Sequence, residues 1–165
     1  MVSLTRVEEL DMFKGFDEDQ LKKIMEICRV EEFQQGQRLF REGEPAMDMW
    51  IVVEGGVELR FEMPDARASS NESMISSHHT DIPESQVFGW SCFIPPHKMR
   101  LSAYCISRRC QVIKINAVKL NILMADDTDI GFKIMGYLVQ VVGYRFKQMQ
   151  EEVVKFMGIN MMNSW

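Results

Sequence analysis

Between Glu31 and Leu59 the chain sets glycines among apolar runs that are too short to be helices. The stretch EEFQQGQRLFREGEPAMDMWIVVEGGVEL carries Gly36, Gly43, Gly55 and Gly56. Glycine is favoured where the backbone must take a positive φ, which costs other residues sterically. The runs between them, Arg38–Phe40, Met49–Val53 and Gly56–Phe61, are rich in apolar and β-forming residues. Gln86–Phe88, Leu101–Ile106 and Cys110–Ile115 continue the series. Short strands with tight turns predict a sandwich or barrel.

Helical signals flank this region. Thr5 and Glu8 have capping-box spacing for a first helix bearing Leu4, Val7 and Leu10. Asp17 and Gln20 repeat the signal before the helical stripe Leu21, Ile24, Met25 and Cys28. Asn116 predicts a capped short helix over 116–124. A long helix is expected from Asp127, with Asp127 and Asp129 set favourably against its N-terminal dipole.

These residues resemble the cyclic-nucleotide-binding domains. Phe13, Gly15 and Phe16 match the opening F-x-G-L, and Phe33, Gly36, Leu39, Glu42, Gly43, Trp50, Ile51, Val52, Gly55 and Val57 follow the family's glycine-spaced pattern. The segment QVFGWSCFIPPHKMRLSAY, Gln86 to Tyr104, is similar to the phosphate-binding cassette, F-G-E-x-A-L followed by P-R-A-A-T. The resemblance implies an α+β fold: a jelly-roll β-barrel flanked by N-terminal helices and a long C-terminal helix. It also implies a cyclic-nucleotide-binding-like domain over 1–126, a dimerisation helix over 127–157 and a tail over 158–165. Sensors of the cyclic AMP receptor protein type continue into a helix-turn-helix domain, for which the residues after Phe156 leave no room.

The cassette departs from the family where the ligand is gripped. Phe88 and Gly89 keep their positions, but Trp90 stands in place of the glutamate that accepts from the ribose hydroxyl. Trp has one donor, no acceptor and a large apolar face, so it either fills the pocket or stacks on a planar ligand. Gly89, Trp90, Ser91 and Cys92 supply backbone N–H groups suited to an anion. If Ser102, Ala103 and Tyr104 match A-A-T, Leu101 occupies the arginine position and Arg100 comes one residue early. A one-residue slip in a strand turns a side chain to the opposite face. A bulged loop at Pro95 and Pro96 leaves an inward Arg100 open, and Tyr104 adds bulk.

Along the long helix Phe132, Met135, Val139, Val142, Phe146, Met149, Val153 and Phe156 alternate in steps of 3 and 4, a coiled-coil seam. Ile130, Ile134, Leu138 and Val141 form a second stripe suited to packing on the barrel. A homodimer through the first stripe is expected. Gly136 and Gly143, one heptad apart, mark a close approach of barrel, partner helix or ligand, or simple tolerance.

Net charge is −5, against broad attraction to DNA. No apolar run approaches the roughly 20 residues of a membrane span, and Met1–Leu10 lacks a signal peptide's apolar stretch, so the cytoplasm is expected. Cys28, Cys92, Cys105 and Cys110 form no CxxC pair and read as buried reduced thiols. His78, His79 and Asp81 fall in a serine-rich polar loop, 63–85, and read as solvated rather than metal-binding. No nucleophile elbow or P-loop is present, and Ser91 has only His97 nearby in the chain as a base. The expected function is therefore a non-enzymatic regulatory module. Its ligand would be cyclic AMP, cyclic GMP or another small anion, with no certain cofactor. The other reading is a ligand-free scaffold for an unidentified protein partner, its methionines adapting to varied surfaces.

Overall fold

The computed structural model describes residues 7–61 and 86–162. The expected cap at Thr5, the serine-rich loop with His78, His79 and Asp81, and the final residues lie outside these. A 3₁₀ turn at Asp11–Phe13 precedes helix α1, Glu18–Glu26. Asp17 caps α1 by accepting from the Gln20 backbone, and Gln20 returns the bond to the Asp17 N–H.

Among the described residues seven strands follow: β1 (Cys28–Gln34), β2 (Arg38–Phe40), β3 (Asp48–Glu54), β4 (Val57–Arg60), β5 (Val87–Phe88), β6 (Ser102–Cys105) and β7 (Arg109–Asn116). They form two antiparallel sheets, ordered β1-β7-β3-β5 and β2-β6-β4. The jelly-roll is thus two facing sheets rather than a closed hydrogen-bonded barrel among the described residues. Cys28 departs from the sequence reading. Its helical spacing extends the stripe of α1, but the helix ends at Glu26 and Cys28 opens β1 opposite Ile115. Seven paired residues along β7 outweigh one more turn of helix.

Strand alternation divides each sheet into two faces. Phe33, Trp50, Val52, Phe88, Cys110 and Val112 share one face of the larger sheet, as the register requires. Phe40, on the smaller sheet, meets Trp50 and Phe88 with centroids 5.4 and 5.9 Å apart. Cys105 Sγ lies 3.6 Å from the Phe33 carbonyl oxygen. That face therefore looks into the roll. Met49, Ile51, Val87, Ile113 and Ile115 occupy the other face, each no more than 1 % exposed, under the helices.

Helix α2, Ala117–Asp126, is capped by Asn116, whose Oδ1 accepts from the Lys119 N–H at 3.1 Å, and it runs past the expected end at residue 124. Helix α3 spans Thr128–Met162, with Asp127 Oδ1 accepting from the Ile130 N–H at 3.2 Å. That bond and the Lys23 ammonium hold the Asp127 carboxyl below the usual carboxylate range. Ile130, Ile134, Leu138 and Val141 are buried, and α3 packs chiefly on α2 and the Asp11–Phe13 turn. The strands expected as its support are reached mainly through α2, which itself packs on β7. No described helix is long and apolar enough to cross a membrane.

Candidate ligand-binding cassette

The cassette hangs from β5, a two-residue strand paired to β3 through Trp50↔Phe88 and Ile51↔Val87. Gly89 takes φ 76° and ψ 11°, and the chain then closes into a 3₁₀ turn, Trp90–Phe93, packed on β3. A glycine is required there for two reasons. The left-handed conformation excludes most residues, and a Cβ would stand 2.7 Å from Trp50 Cδ1 and 3.1 Å from the Asp48 carbonyl oxygen. Inside the turn the Cys92 N–H donates to the Gly89 carbonyl at 3.1 Å, so this donor is used by the turn itself. Ser91 and Cys92 are buried, while Trp90 is half-buried and packs against the core. Burial pushes the Cys92 thiol up to about 12, with the Asp48 carboxylate adding to the shift.

The connection to β6 is tied to the Gly43 turn. The Gly43 N–H donates to the Met99 carbonyl, the Met99 N–H to the Glu44 carbonyl, and the Ala46 N–H to the His97 carbonyl, each at 2.8 Å. His97 lies at φ 56° with Nδ1 3.0 Å from the Cys92 carbonyl oxygen, which turns it toward the loop backbone rather than toward Ser91. These ties leave Arg100 exposed and Leu101 half-buried.

Strand β6 then sorts the remaining candidates. Ser102 and Tyr104 pair with Arg60 and Glu58 on β4, whereas Ala103 and Cys105 pair with Leu59 and Val57. Cys105 contacts the opposing sheet, so its face looks inward and Ser102 and Tyr104 turn outward. Arg100 and Leu101 lie in the bend that leads into β6, outside the strand's alternation. Ser102 is fully buried, and its Oγ accepts from the Glu42 N–H at 2.9 Å. Tyr104 lies beneath Arg60, whose guanidinium carbon is 4.8 Å from the ring centre, and Arg60 is ion-paired to the buried Glu58. Phe88, Gly89, Trp90, Ser91 and Cys92 thus come together at the end of β5 and in the turn after it, Ala103 faces into the roll, and Leu101 is half-buried just before β6. Arg100, Ser102 and Tyr104 do not join them.

Sequence reading did not assign Trp50 and Lys114 to the site. Trp50 lies between Phe33, Phe40 and Phe88, with ring centroids 6.4, 5.4 and 6.0 Å away. Lys114 Nζ sits 4.5 Å from the centre of its ring and is ion-paired to Glu31 at 3.2 Å and Asp48 at 3.5 Å. The period-2 alternation of Trp50 and Val52 was the available signal. It marks which β3 side chains share a face but does not reveal that this face meets the cassette.

The family profile of the cyclic nucleotide-binding domain matches residues 30–127, more than half of the chain. A candidate cyclic nucleotide-binding protein from Geobacter metallireducens GS-15 is 25 % identical with a TM-score of 0.68, over 88 % of this chain and 99 % of that one. A cyclic nucleotide-binding domain from Methylobacillus flagellatus KT is 16 % identical with a TM-score of 0.70, over 92 % and 80 %. The regulatory domain of Toxoplasma gondii PKA, solved with cAMP, is 17 % identical with a TM-score of 0.59, over 81 % and 48 %. With the profile running from within β1 to the end of α2, the chain belongs to the cyclic nucleotide-binding domain family.

Proposed function

We propose that this chain is a regulatory sensor module whose cassette takes a small anionic ligand through altered contacts and whose long helix pairs with a second copy. The observation that carries the first half is the preserved turn. Gly89 keeps a left-handed conformation and the Trp90–Phe93 turn is anchored on β3, so the backbone part of the cassette is retained. The side-chain part is changed. Trp90 offers no acceptor for a ribose hydroxyl, and Leu101, aligned with the family's arginine, brings no charge. Binding of cyclic AMP or cyclic GMP through the family's usual contacts is accordingly weakened, and another oxyanion is an equal candidate. The module is read as non-enzymatic and cytoplasmic, with no direct role in DNA binding.

The exposed stripe on α3 supports the second half. Phe132, Val139, Phe146 and Val153 are 80, 68, 55 and 51 % exposed, and Met135, Val142 and Met149 lie between them. Large apolar side chains repeating at heptad spacing are stable in water when a partner helix covers them. Gly136 and Gly143 sit beside this stripe, and a Cβ at either would meet nothing within 4 Å among the described residues, which leaves room for a partner helix. Ligand occupancy would shift α2 and α3 against the roll and so alter the paired helices.

A second reading is favoured by the aromatic filling around Trp50: a closed roll serving as a ligand-free dimerisation scaffold. A thermal-shift screen with cyclic AMP and cyclic GMP separates the two. A ligand at 100 times its dissociation constant stabilises the native state by about 2.7 kcal/mol. Concentration-dependent stabilisation supports the sensor, and a flat response to both nucleotides and to inorganic phosphate supports the scaffold.

A further inference from the structure

Trp50 carries a buried hydrogen-bond donor that finds no acceptor among the described residues. The residue is 4 % exposed, and its Nε1 has no hydrogen-bond partner among the described residues. Two other buried polar side chains of the roll are engaged, Ser102 with the Glu42 N–H and Glu58 with Arg60. Buried unsatisfied donors are rare enough in native structures that each calls for a cause.

The surroundings of the indole indicate one. Phe33, Phe40 and Phe88 pack around it, and Lys114 lies over the ring. The edge bearing Cδ1 and Nε1 instead meets the cassette. A Cβ on Gly89 would stand 2.7 Å from Cδ1 and 3.5 Å from Nε1. Because residue 89 is a glycine, no side chain separates that edge from the turn.

We propose that Trp50 Nε1–H is a ligand-contacting donor of the cassette, satisfied when an oxyanion, phosphate or carboxylate, seats at the Gly89–Cys92 turn. The proposal rests on the sensor reading and assigns it a side-chain contact that Trp90 and Leu101 do not supply. A neutral indole donor adds no charge, and a hydrogen bond to a charged acceptor is stronger than one between neutral groups. The donor is unpaired in the free protein and paired in the bound one, so the contact favours only the occupied state. Nε1 is covered in the free state, so its engagement requires the Gly89 turn to shift outward.

Calorimetric titration of wild type and Trp50→Phe with cyclic AMP, cyclic GMP, inorganic phosphate and succinate tests this. The phosphate and succinate arms distinguish the source of the oxyanion. The expected result is binding of at least one probe to wild type and binding to Trp50→Phe that is weaker by about tenfold, the scale of one hydrogen bond to a charged group. A second measurement needs no variant to bind: the ultraviolet resonance Raman band of the indole N–H in wild type should shift at saturation. If Trp50→Phe misfolds, the wild-type band decides alone. Equal affinities, or an indole band unchanged at saturation, overturn the assignment while leaving the sensor reading intact. Failure of all four probes to bind wild type sinks the sensor reading and this contact with it.

Discussion

Ser102 Oγ accepts the backbone N–H of Glu42 at 2.9 Å, tying the start of β6 to the Gly43 turn from a fully buried position. This bond sets which residues of the cassette strand face into the roll. With Ser102 turned outward, Ala103 faces inward, toward Phe40 and the roll. Ser102→Ala removes the buried Oγ that accepts from the Glu42 N–H and should lower stability by about 1–3 kcal/mol. Urea unfolding measures the loss, and any ligand affinity should be unchanged, since Ser102 is occupied structurally. A stable Ser102→Ala variant with weakened binding would instead place this hydroxyl on the ligand.

Gly89 and Gly43 both have positive φ, 76° and 84°, but differ in surroundings. A Cβ at Gly43 meets nothing within 4 Å, whereas one at Gly89 meets Trp50 and the Asp48 carbonyl. Gly43→Ala should cost about 1 kcal/mol from the backbone conformation alone. Gly89→Ala adds overpacking and should cost about 1–3 kcal/mol more. Thermal melts of the two variants compare them directly, and equal losses would mean that the turn moves freely away from β3.

Much of this architecture was legible in the residues. Gly36, Gly43 and Gly55 mark turns because each has a positive φ, and at Gly55 a side chain would also collide with the Arg109 carbonyl and Ser107. The two stripes of α3 separated as their spacing required, one buried and one exposed. Cys28 was misassigned because helical periodicity is blind to a strand partner 87 residues away, Ile115. The outward turn of Tyr104 was missed for a similar reason. Motif alignment places a residue in a strand but does not show which side of the sheet meets the other. Trp50 was recognised as a pattern position, yet its contact with Gly89 depends on β3–β5 register.

The exposed stripe of α3 predicts a homodimer. Val142→Glu with Phe146→Glu sets like charges across the seam and should yield a folded monomer. Light scattering at tens of micromolar decides, with circular dichroism to check the fold. A monomeric wild type at that concentration would remove the seam.

Burial raises the Cys28, Cys92 and Cys110 thiols to about 12. Thiolate is the reactive form, so these groups should resist alkylation at pH 8 in the native state and react in denaturant. Mass spectrometry after an iodoacetamide pulse reads each site. Rapid labelling of Cys92 in the native protein would show that the cassette turn opens readily.

We propose that the cassette keeps its backbone turn but lacks, at Trp90 and Leu101, the side chains by which the family holds a cyclic nucleotide. Calorimetry with cyclic AMP on wild type, Trp90→Glu, and Trp90→Glu with Leu101→Arg tests it most directly. Weak binding by wild type and a gain of about 1–3 kcal/mol on restoring the acceptor are expected. A further gain is expected when the cation returns at position 101. Tight wild-type binding that is lost in Trp90→Glu would contradict it and make Trp90 a recognition residue that stacks on the ligand.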